Sequence, residues 1–359
     1  MLKNKFIAQV YRFLFYLLKF YKSFEKNQPD IDCKLQEFRL KTLIAKKTIF
    51  MLNRAFVYKQ FRKSKNGTLV INLYGLLGDL IAAEPIARFI KQKYPCCEIK
   101  WIVDPKYKSL IENNPFIDKI IEADYLAKVD EICQIEKENG SVIVDCLFNG
   151  RICEKTGKKH VNLINPEITN NTYFLYGGLL ESFCLAAGLP NLKIKPKLWI
   201  SNEIKNPLSK LLCDKKYVAV HAVSRVPSKN WSWEKWQYVV RELIKEGFLV
   251  VELGQEPHIR FRDQHFIDAT TFGFSIIESL SILKQAKYFI GIDSAFAHAA
   301  NAFNIPSIIL LGKHANFREY SPFSNPLQKG AIIRMTDGFV SKINEHDVLS
   351  AFHEVSIKN

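Results

Sequence analysis

Three segments of the sequence combine small residues with polar side chains that can bind or activate a ligand. The first is Gly75-Leu-Leu-Gly78-Asp79, where the Asp79 carboxylate could accept a proton from a substrate hydroxyl. Aspartate is also a favoured helix N-cap, so a purely structural role for Asp79 stays open. A helix start stabilises the ionised carboxylate, and on that basis we predict an ionised Asp79.

The second segment runs from His221 to Trp233. It places a hydroxyl (Ser224), an arginine (Arg225) and a lysine (Lys229) after an apolar run and before a helical stretch. This combination is suited to holding phosphate, although a solvated basic loop is an equally good interpretation. We predict that the tryptophans at 231, 233 and 236 pack rather than stack on a ligand.

The third segment is Gly291-Ile-Asp293-Ser294-Ala295, followed by His298. A strand ends here and a helix of small residues begins, so free backbone N–H groups point out of the helix start. Taken singly, Asp293 could be only a cap and His298 only a core histidine. No His, Cys, Asp or Glu set has metal-ligand spacing, and the sequence contains no Walker, G-x-G-x-x-G or G-x-S-x-G motif.

The elements that must position these segments are short apolar strands alternating with helices. This alternation predicts parallel sheets covered on both faces, in two doubly wound halves whose strand ends meet at a cleft. The predicted strands are 68–73, 98–103, 119–121 and 141–145 in the first half, and 216–221, 248–253, 288–292 and 307–311 in the second. The predicted helices are 80–93, 107–113, 233–246, 275–284 and 295–303.

Composition agrees with a globular protein of about two domains. The 359 residues are 48% apolar and 24% charged, which excludes collagen-like, coiled-coil and wholly disordered chains. The net charge is +15, and residues 1–66 carry +12 of it, with sixteen Lys or Arg against four acids. Eight cysteines show no paired spacing, which favours a reducing cytosol.

The basic excess coincides with an amphipathic pattern over residues 5–26. One helical face is aromatic and aliphatic and the other is cationic, and the longest apolar run, Phe13 to Leu18, is too short to span a bilayer. We therefore predict a helix on an anionic membrane surface. Docking on the protein's own core or on another subunit remains an alternative, and nucleic acid is a poor fit to this pattern.

In order and spacing, the three segments resemble the heptosyltransferases of glycosyltransferase family 9. The resemblance extends over roughly residues 68–325. It rests on Gly78-Asp79 with Pro85, Asn114-Pro115, His221 with Ser224-Arg225 and Lys229-Asn230-Trp231, Gly291 with Asp293-Ser294 and His298, and Leu311-Gly312. The family usually has glycine where Ala295 stands, and the second segment has one extra residue before Lys229.

This resemblance implies a GT-B fold, in which two Rossmann-like doubly wound α/β domains face each other across a cleft. We expect a basic helical extension at 1–66, an acceptor domain at 67–200, a nucleotide-sugar domain at 201–340 and a C-terminal helix at 341–359. The implied reaction is inverting, metal-independent transfer of a sugar to a lipopolysaccharide core or another cell-envelope glycan. The default donor is ADP-heptose, no further cofactor is expected, and the implied location is the cytoplasmic face of the inner membrane.

The resemblance also implies a role for each candidate residue. Asp79 would be the general base, with Gly78 on the acceptor side. The donor-binding residues would be Ser224, Arg225, Lys229, Glu256, Asp293, Ser294, Ala295 and His298, with Lys229 and Ser224 on the diphosphate and Glu256 on a ribose hydroxyl. Two alternatives stay open: a GT-B transferase or epimerase that uses another nucleotide sugar, and a non-catalytic sugar-binding relative.

Overall fold

The computed structural model describes residues 67–212, 215–312, 330–334 and 338–358. The basic extension 1–66, with its predicted amphipathic helix, lies outside the described residues. The C-terminal helix predicted within 341–359 is confirmed and spans Glu345–Lys358 (α9 below).

The first sheet is parallel and has the strand order β3-β2-β1-β4. Its strands are β1 (Thr68–Asn72), β2 (Glu98–Val103), β3 (Lys119–Glu122) and β4 (Val142–Asp145). Helices α1 (Leu77–Lys93), α2 (Lys108–Ile111) and α3 (Leu126–Glu138) connect them. The central strand β1 is almost wholly buried, which is why it is a run of apolar residues without alternation.

The second sheet is also parallel and has the order β10-β9-β8-β5-β6-β7. Its strands are β5 (Tyr217–His221), β6 (Leu249–Glu252), β7 (Phe266–Asp268), β8 (Tyr288–Ile292), β9 (Ser307–Leu311) and β10 (Gly330–Arg334). Its helices are α6 (Trp233–Lys245), α7 (Ile276–Lys284), α8 (Ala295–Phe303) and α9 (Glu345–Lys358), while α4 (Leu179–Ala186) and α5 (Ser209–Leu212) precede β5.

Side-chain caps set the starts of the helices in the second sheet. The hydroxyl of Ser232 accepts the Lys235 N–H at the start of α6, and Ser275 and Glu278 cap α7 reciprocally. Asn304 ends α8 in the left-handed region, with φ 64°, which asparagine tolerates better than most residues. Strong local signals of this kind explain why the predicted helix starts at 233 and 295 are correct.

One continuous apolar core joins the two sheets, which belong to a single compact unit. Within it α1 packs against α8, and the residues that they bury include the small side chains of Ala82, Ala83 and Ala297, which let the two helices approach closely. Helix α1 begins after the carboxyl end of β1, and α8 begins after that of β8.

The predicted doubly wound α/β fold is confirmed, with strands β2, β8 and β9 at the predicted bounds. The remaining predicted strands differ by one or two residues at their ends. The sequence analysis missed α3, α4, α5, β7 and β10. The boundaries 67–200 and 201–340 stay predictions.

Two further findings concern the chain as described. Cys96, Cys97, Cys133, Cys146, Cys153 and Cys184 are all free thiols. In the part of the chain that the structure describes, no helix combines the length and apolar character that crossing a bilayer requires.

Candidate active site

Asp79 lies at the third position of α1, directly after the carboxyl end of β1. Its Oδ2 atom accepts the backbone N–H of Leu76, the residue before the helix, at 3.0 Å. The chain turns so tightly here that a Cβ added at Gly75 would lie 2.8 Å from the Cβ of Asp79. The structural role that we left open is therefore present in part. Asp79 is not the N-cap residue, but from the first turn of the helix its side chain accepts the backbone N–H of the N-cap residue, Leu76.

Burial is the largest influence on the pKa of Asp79 and raises it above its ordinary value. The hydrogen bond from Leu76 and the positive charges of Arg151 and Lys229 lower the pKa, and the negative charge of Asp293 raises it. Burial therefore opposes the effect of the helix start, and the ionised state of Asp79 stays a prediction. A raised pKa makes the ionised carboxylate a stronger base.

Arg151, on the loop after β4, is a site residue that the sequence analysis missed. Its Nη1 atom donates to the carbonyl oxygen of Tyr74 at 2.8 Å, and its charge lowers the pKa of Asp79 more than any other charged group does. The signal that could have found it was its place after the carboxyl end of a parallel strand, where ligand sites form.

The loop after β5 is closed by a side chain that the sequence analysis also missed. Asn230 accepts the Ser224 N–H at 2.7 Å and donates to the Ser224 carbonyl oxygen at 3.0 Å. The Ser224 hydroxyl accepts the Val226 N–H, which tightens the turn. This local pattern fixes the backbone that leads to Lys229, at the end of a short 3₁₀ turn.

Lys229 and Asp293 form an ion pair across the carboxyl ends of β5 and β8. Lys229 Nζ lies 2.6 Å from Asp293 Oδ2, and the side chains are only 18% and 8% exposed. Two predicted donor-binding residues from separate segments are thereby brought together. The charges of both residues influence the pKa of Asp79. Asp79 belongs to α1, whereas the pair lies beside the start of α8, the helix against which α1 packs.

The start of α8 completes this side of the site. Ser294 is its N-cap and accepts the Ala297 N–H, and Ala295 is its first residue. His298 is buried one turn later, and burial lowers its pKa to about 4, so the imidazole is neutral at physiological pH. A Cβ added at Gly78 would lie 3.2 Å from Cδ2 of His298 and 3.7 Å from Cα of Ala295.

Two predicted donor residues lie further out. Arg225 is exposed. Glu256 is exposed on the loop after β6. The packing prediction is confirmed for Trp231 and Trp236, which are buried edge to face at a centroid distance of 5.0 Å, whereas Trp233 is 41% exposed.

The arrangement suits the transfer of a group from a phosphate leaving group to a hydroxyl. The half-buried carboxylate of Asp79, on one side of the site, can take the proton of the hydroxyl. At the other wall, Lys229 and the N-terminus of α8 supply positive potential for a departing anion. Among the residues that the structure describes, no group of three or more His, Cys, Asp or Glu could hold a metal ion.

Comparison with known proteins agrees with this geometry. Residues 178–333 match the family model described as glycosyltransferase family 9 (heptosyltransferase). A curated relative, lipopolysaccharide heptosyltransferase 1 of Campylobacter coli, is 25% identical over 340 residues, covering 78% of this chain and 96% of the relative.

Solved structures share the fold. A glycosyl transferase family 9 protein from Veillonella parvula superposes with a TM-score of 0.65 at 16% identity, covering 81% of this chain and 97% of that one. The E. coli ADP-heptose lps heptosyltransferase II gives a TM-score of 0.61 at 16% identity, covering 81% and 99%.

The fold is that of the GT-B glycosyltransferases, and these matches support glycosyltransferase activity. Its resemblance to glycosyltransferase family 9, the heptosyltransferases, is confirmed.

Proposed function

We propose that the chain transfers a sugar from a nucleotide-sugar donor to a cell-envelope glycan, with inversion at the anomeric carbon and without a metal ion. Asp79 takes the proton of the acceptor hydroxyl while that oxygen attacks the sugar. Lys229, Ser224 and the start of α8 bind the diphosphate. Asp293, Ser294 and His298 hold the donor's sugar and phosphates, and Gly78 lies on the acceptor side.

One observation carries the proposal: a half-buried carboxylate, Asp79, lies within electrostatic reach of the Lys229–Asp293 pair where two helix starts meet. A single displacement needs one base and one stabilised leaving group, and both are present in the same place. A retaining reaction by double displacement would need a second carboxylate as nucleophile. Asp293 is engaged with Lys229 at 2.6 Å, which favours a supporting role.

The relatives support ADP-heptose as donor and a lipopolysaccharide core as acceptor. The Campylobacter relative is a lipopolysaccharide heptosyltransferase, and the E. coli neighbour is an ADP-heptose lps heptosyltransferase. Arg225 and Glu256 remain donor-binding candidates that require a movement of their exposed loops toward the diphosphate. The proposal assigns donor binding to 201–340 and acceptor binding to 67–200.

We further propose that residues 5–26 hold the enzyme at an anionic membrane, on its cytoplasmic face, where a lipid-linked acceptor is available. The support is the +12 charge of residues 1–66 together with their amphipathic pattern. Deleting residues 1–30 should release the protein from vesicles that contain phosphatidylglycerol but not change its weak binding to phosphatidylcholine vesicles. Unchanged sedimentation with the anionic vesicles would contradict this part of the proposal.

The test of the reaction is the Asp79→Asn variant, assayed with ADP-heptose and a lipopolysaccharide acceptor that lacks core heptose. Loss of the base should lower kcat at least about 100-fold, while the affinity for ADP by calorimetry stays within twofold. The matched control is Asp124→Asn, an exposed aspartate of the same lobe, which should behave as wild type. Full turnover by Asp79→Asn would refute the base assignment.

Product analysis decides the remaining parts of the proposal. NMR of the anomeric proton should show inversion, and activity should persist after EDTA treatment and exchange into metal-free buffer. Epimerised nucleotide sugar without transfer would favour the epimerase alternative. Binding of nucleotide sugars with no turnover of any would favour a non-catalytic relative.

A further inference from the structure

We infer that Arg151 is a positioning residue for Asp79, which fixes the loop that holds the carboxylate and supplies the main positive charge beside it. The inference rests on the proposed role of Asp79 as the general base. It assigns a function to a residue outside the three segments that the family resemblance highlights.

The geometry begins with the loop between β1 and α1. Arg151 Nη1 donates to the Tyr74 carbonyl oxygen at 2.8 Å, and two residues later the Leu76 N–H binds Asp79 Oδ2 at 3.0 Å. Gly75 lies between Tyr74 and Leu76, and its backbone passes close to the Asp79 side chain. Holding the Tyr74 carbonyl therefore also holds the N–H that orients the carboxylate.

The charged groups around Asp79 come from three loops. Arg151 on the loop after β4 and Lys229 on the loop after β5 favour the ionised carboxylate, and Asp293 after β8 disfavours it. His298 on α8 is neutral. Lys229 is already paired with Asp293 at 2.6 Å, so its field at Asp79 is partly cancelled. Arg151 has no carboxylate within ion-pair distance in the described residues, so its field at Asp79 is not cancelled in that way.

A cluster of His160, Asp130 and Asp145 supports the segment that carries Arg151. The chain from Gly150 to His160 forms a hairpin. Its ends are joined by two hydrogen bonds, in which the Gly150 N–H donates to the His160 carbonyl oxygen and the His160 N–H donates to the Arg151 carbonyl oxygen. The His160 ring lies between Asp130 on α3, at 2.8 Å, and Asp145 at the end of β4, at 3.2 Å. These contacts tie the base of the hairpin to the first sheet.

This cluster has no place in the proposed chemistry of Asp79, Lys229 and Asp293. Burying a histidine between two aspartates is costly unless the charges are paired, and hydrophobic residues often stabilise such positions as well or better. The role of this cluster, on this inference, is to hold Arg151 in a precise position. The cluster, the hairpin and Arg151 then form one rigid support for the carboxylate.

The experiment compares Arg151→Gln, Arg151→Lys and wild type by the pH profile of kcat/KM with ADP-heptose. Arg151→Gln removes the charge but keeps an N–H donor, and its acidic limb should move up by about half a pH unit or more. Arg151→Lys keeps the charge, and its limb should move less. Lys155→Met, an exposed cation of the same hairpin, is the control and should leave the limb in place.

The affinity for ADP should stay within twofold in each variant, since Arg151 lies on the acceptor side. An acidic limb that is unchanged in Arg151→Gln would overturn the inference. If Arg151→Gln loses thermal stability and ADP affinity while the acidic limb keeps its wild-type position, the inference is also overturned, because that outcome indicates only a structural role.

A second measurement does not depend on turnover. The titration of Asp79 is isolated as the difference between the carboxyl ¹³C spectra of wild type and Asp79→Asn, and is repeated in the Arg151→Gln background. The midpoint should be higher without Arg151, and equal midpoints would overturn the inference. If wild type transfers no sugar but the midpoint still shifts, the proposed function fails while the positioning effect stands.

Discussion

The Lys229–Asp293 ion pair allows a quantitative test of how far the candidate site excludes water. The Nζ–Oδ2 distance is 2.6 Å, and the side chains are 18% and 8% exposed. Removing one partner of such a pair leaves the other charge buried, which costs about 3 kcal/mol or more of the free energy of unfolding. We therefore expect Lys229→Met and Asp293→Asn each to be destabilised by about 3 kcal/mol, and the double variant by little more than either.

The assay is a double-mutant cycle by urea unfolding, followed by tryptophan fluorescence, since Trp231 and Trp236 are buried nearby in sequence. The coupling energy should be about 2 kcal/mol or more. The matched control is the Lys108–Glu122 pair, which has the same N–O distance of 2.6 Å but is 46% and 43% exposed. Its coupling should be several-fold smaller, because water screens an exposed pair.

Equal coupling in the two pairs would refute the argument, because it would mean that water screens Lys229 and Asp293 as fully as it screens the surface pair. The same variants report on function. Lys229→Met should weaken ADP binding about tenfold or more, since a charge-assisted hydrogen bond to the diphosphate is lost.

Three further predictions concern stability and geometry. The Asp130 and Asp145 contacts outweigh burial and raise the pKa of His160 to about 9, so the stabilisation is complete below about pH 6.5 and is lost as the pH rises toward 9. Up to about 3 kcal/mol of unfolding free energy should disappear over that window in wild type, and His160→Gln should flatten the dependence of the urea midpoint on pH. Gly75→Ala should lower kcat about tenfold or more with ADP affinity unchanged, because the new Cβ would lie 2.8 Å from Asp79 Cβ; unaltered kinetics would show that the loop adapts freely. Ser294→Ala should cost about 1 kcal/mol in urea unfolding through the lost cap of α8, and no loss would mean that the 3.4 Å hydrogen bond to Ala297 is negligible.

The sequence predicted the elements whose signals are local. Strand β8 has five buried residues in succession, and the helix after it begins at a serine cap, so both bounds were readable without tertiary information. In contrast, β7 is only Phe266–Asp268, too short to show a period, and α3 lacks a side-chain N-cap. These elements exist because neighbouring elements pack on them.

The site was predictable in its residue types but not in its electrostatics. Asp79, Lys229 and Asp293 follow strands, so their convergence at the strand ends was expected and is observed within electrostatic reach. The upward shift of the pKa of Asp79 depends on burial by both lobes, which no local pattern encodes. Arg151 was missed because its function depends on a hydrogen bond to Tyr74, 77 residues away in sequence.

The near contact of Gly78 with His298 and Ala295 limits which residues position 78 can accept. A Cβ there would already lie 3.2 Å from Cδ2 of His298, so a branched side chain would push α1 and α8 apart or displace the imidazole. Gly78→Val should therefore lower the free energy of unfolding, which urea unfolding would detect.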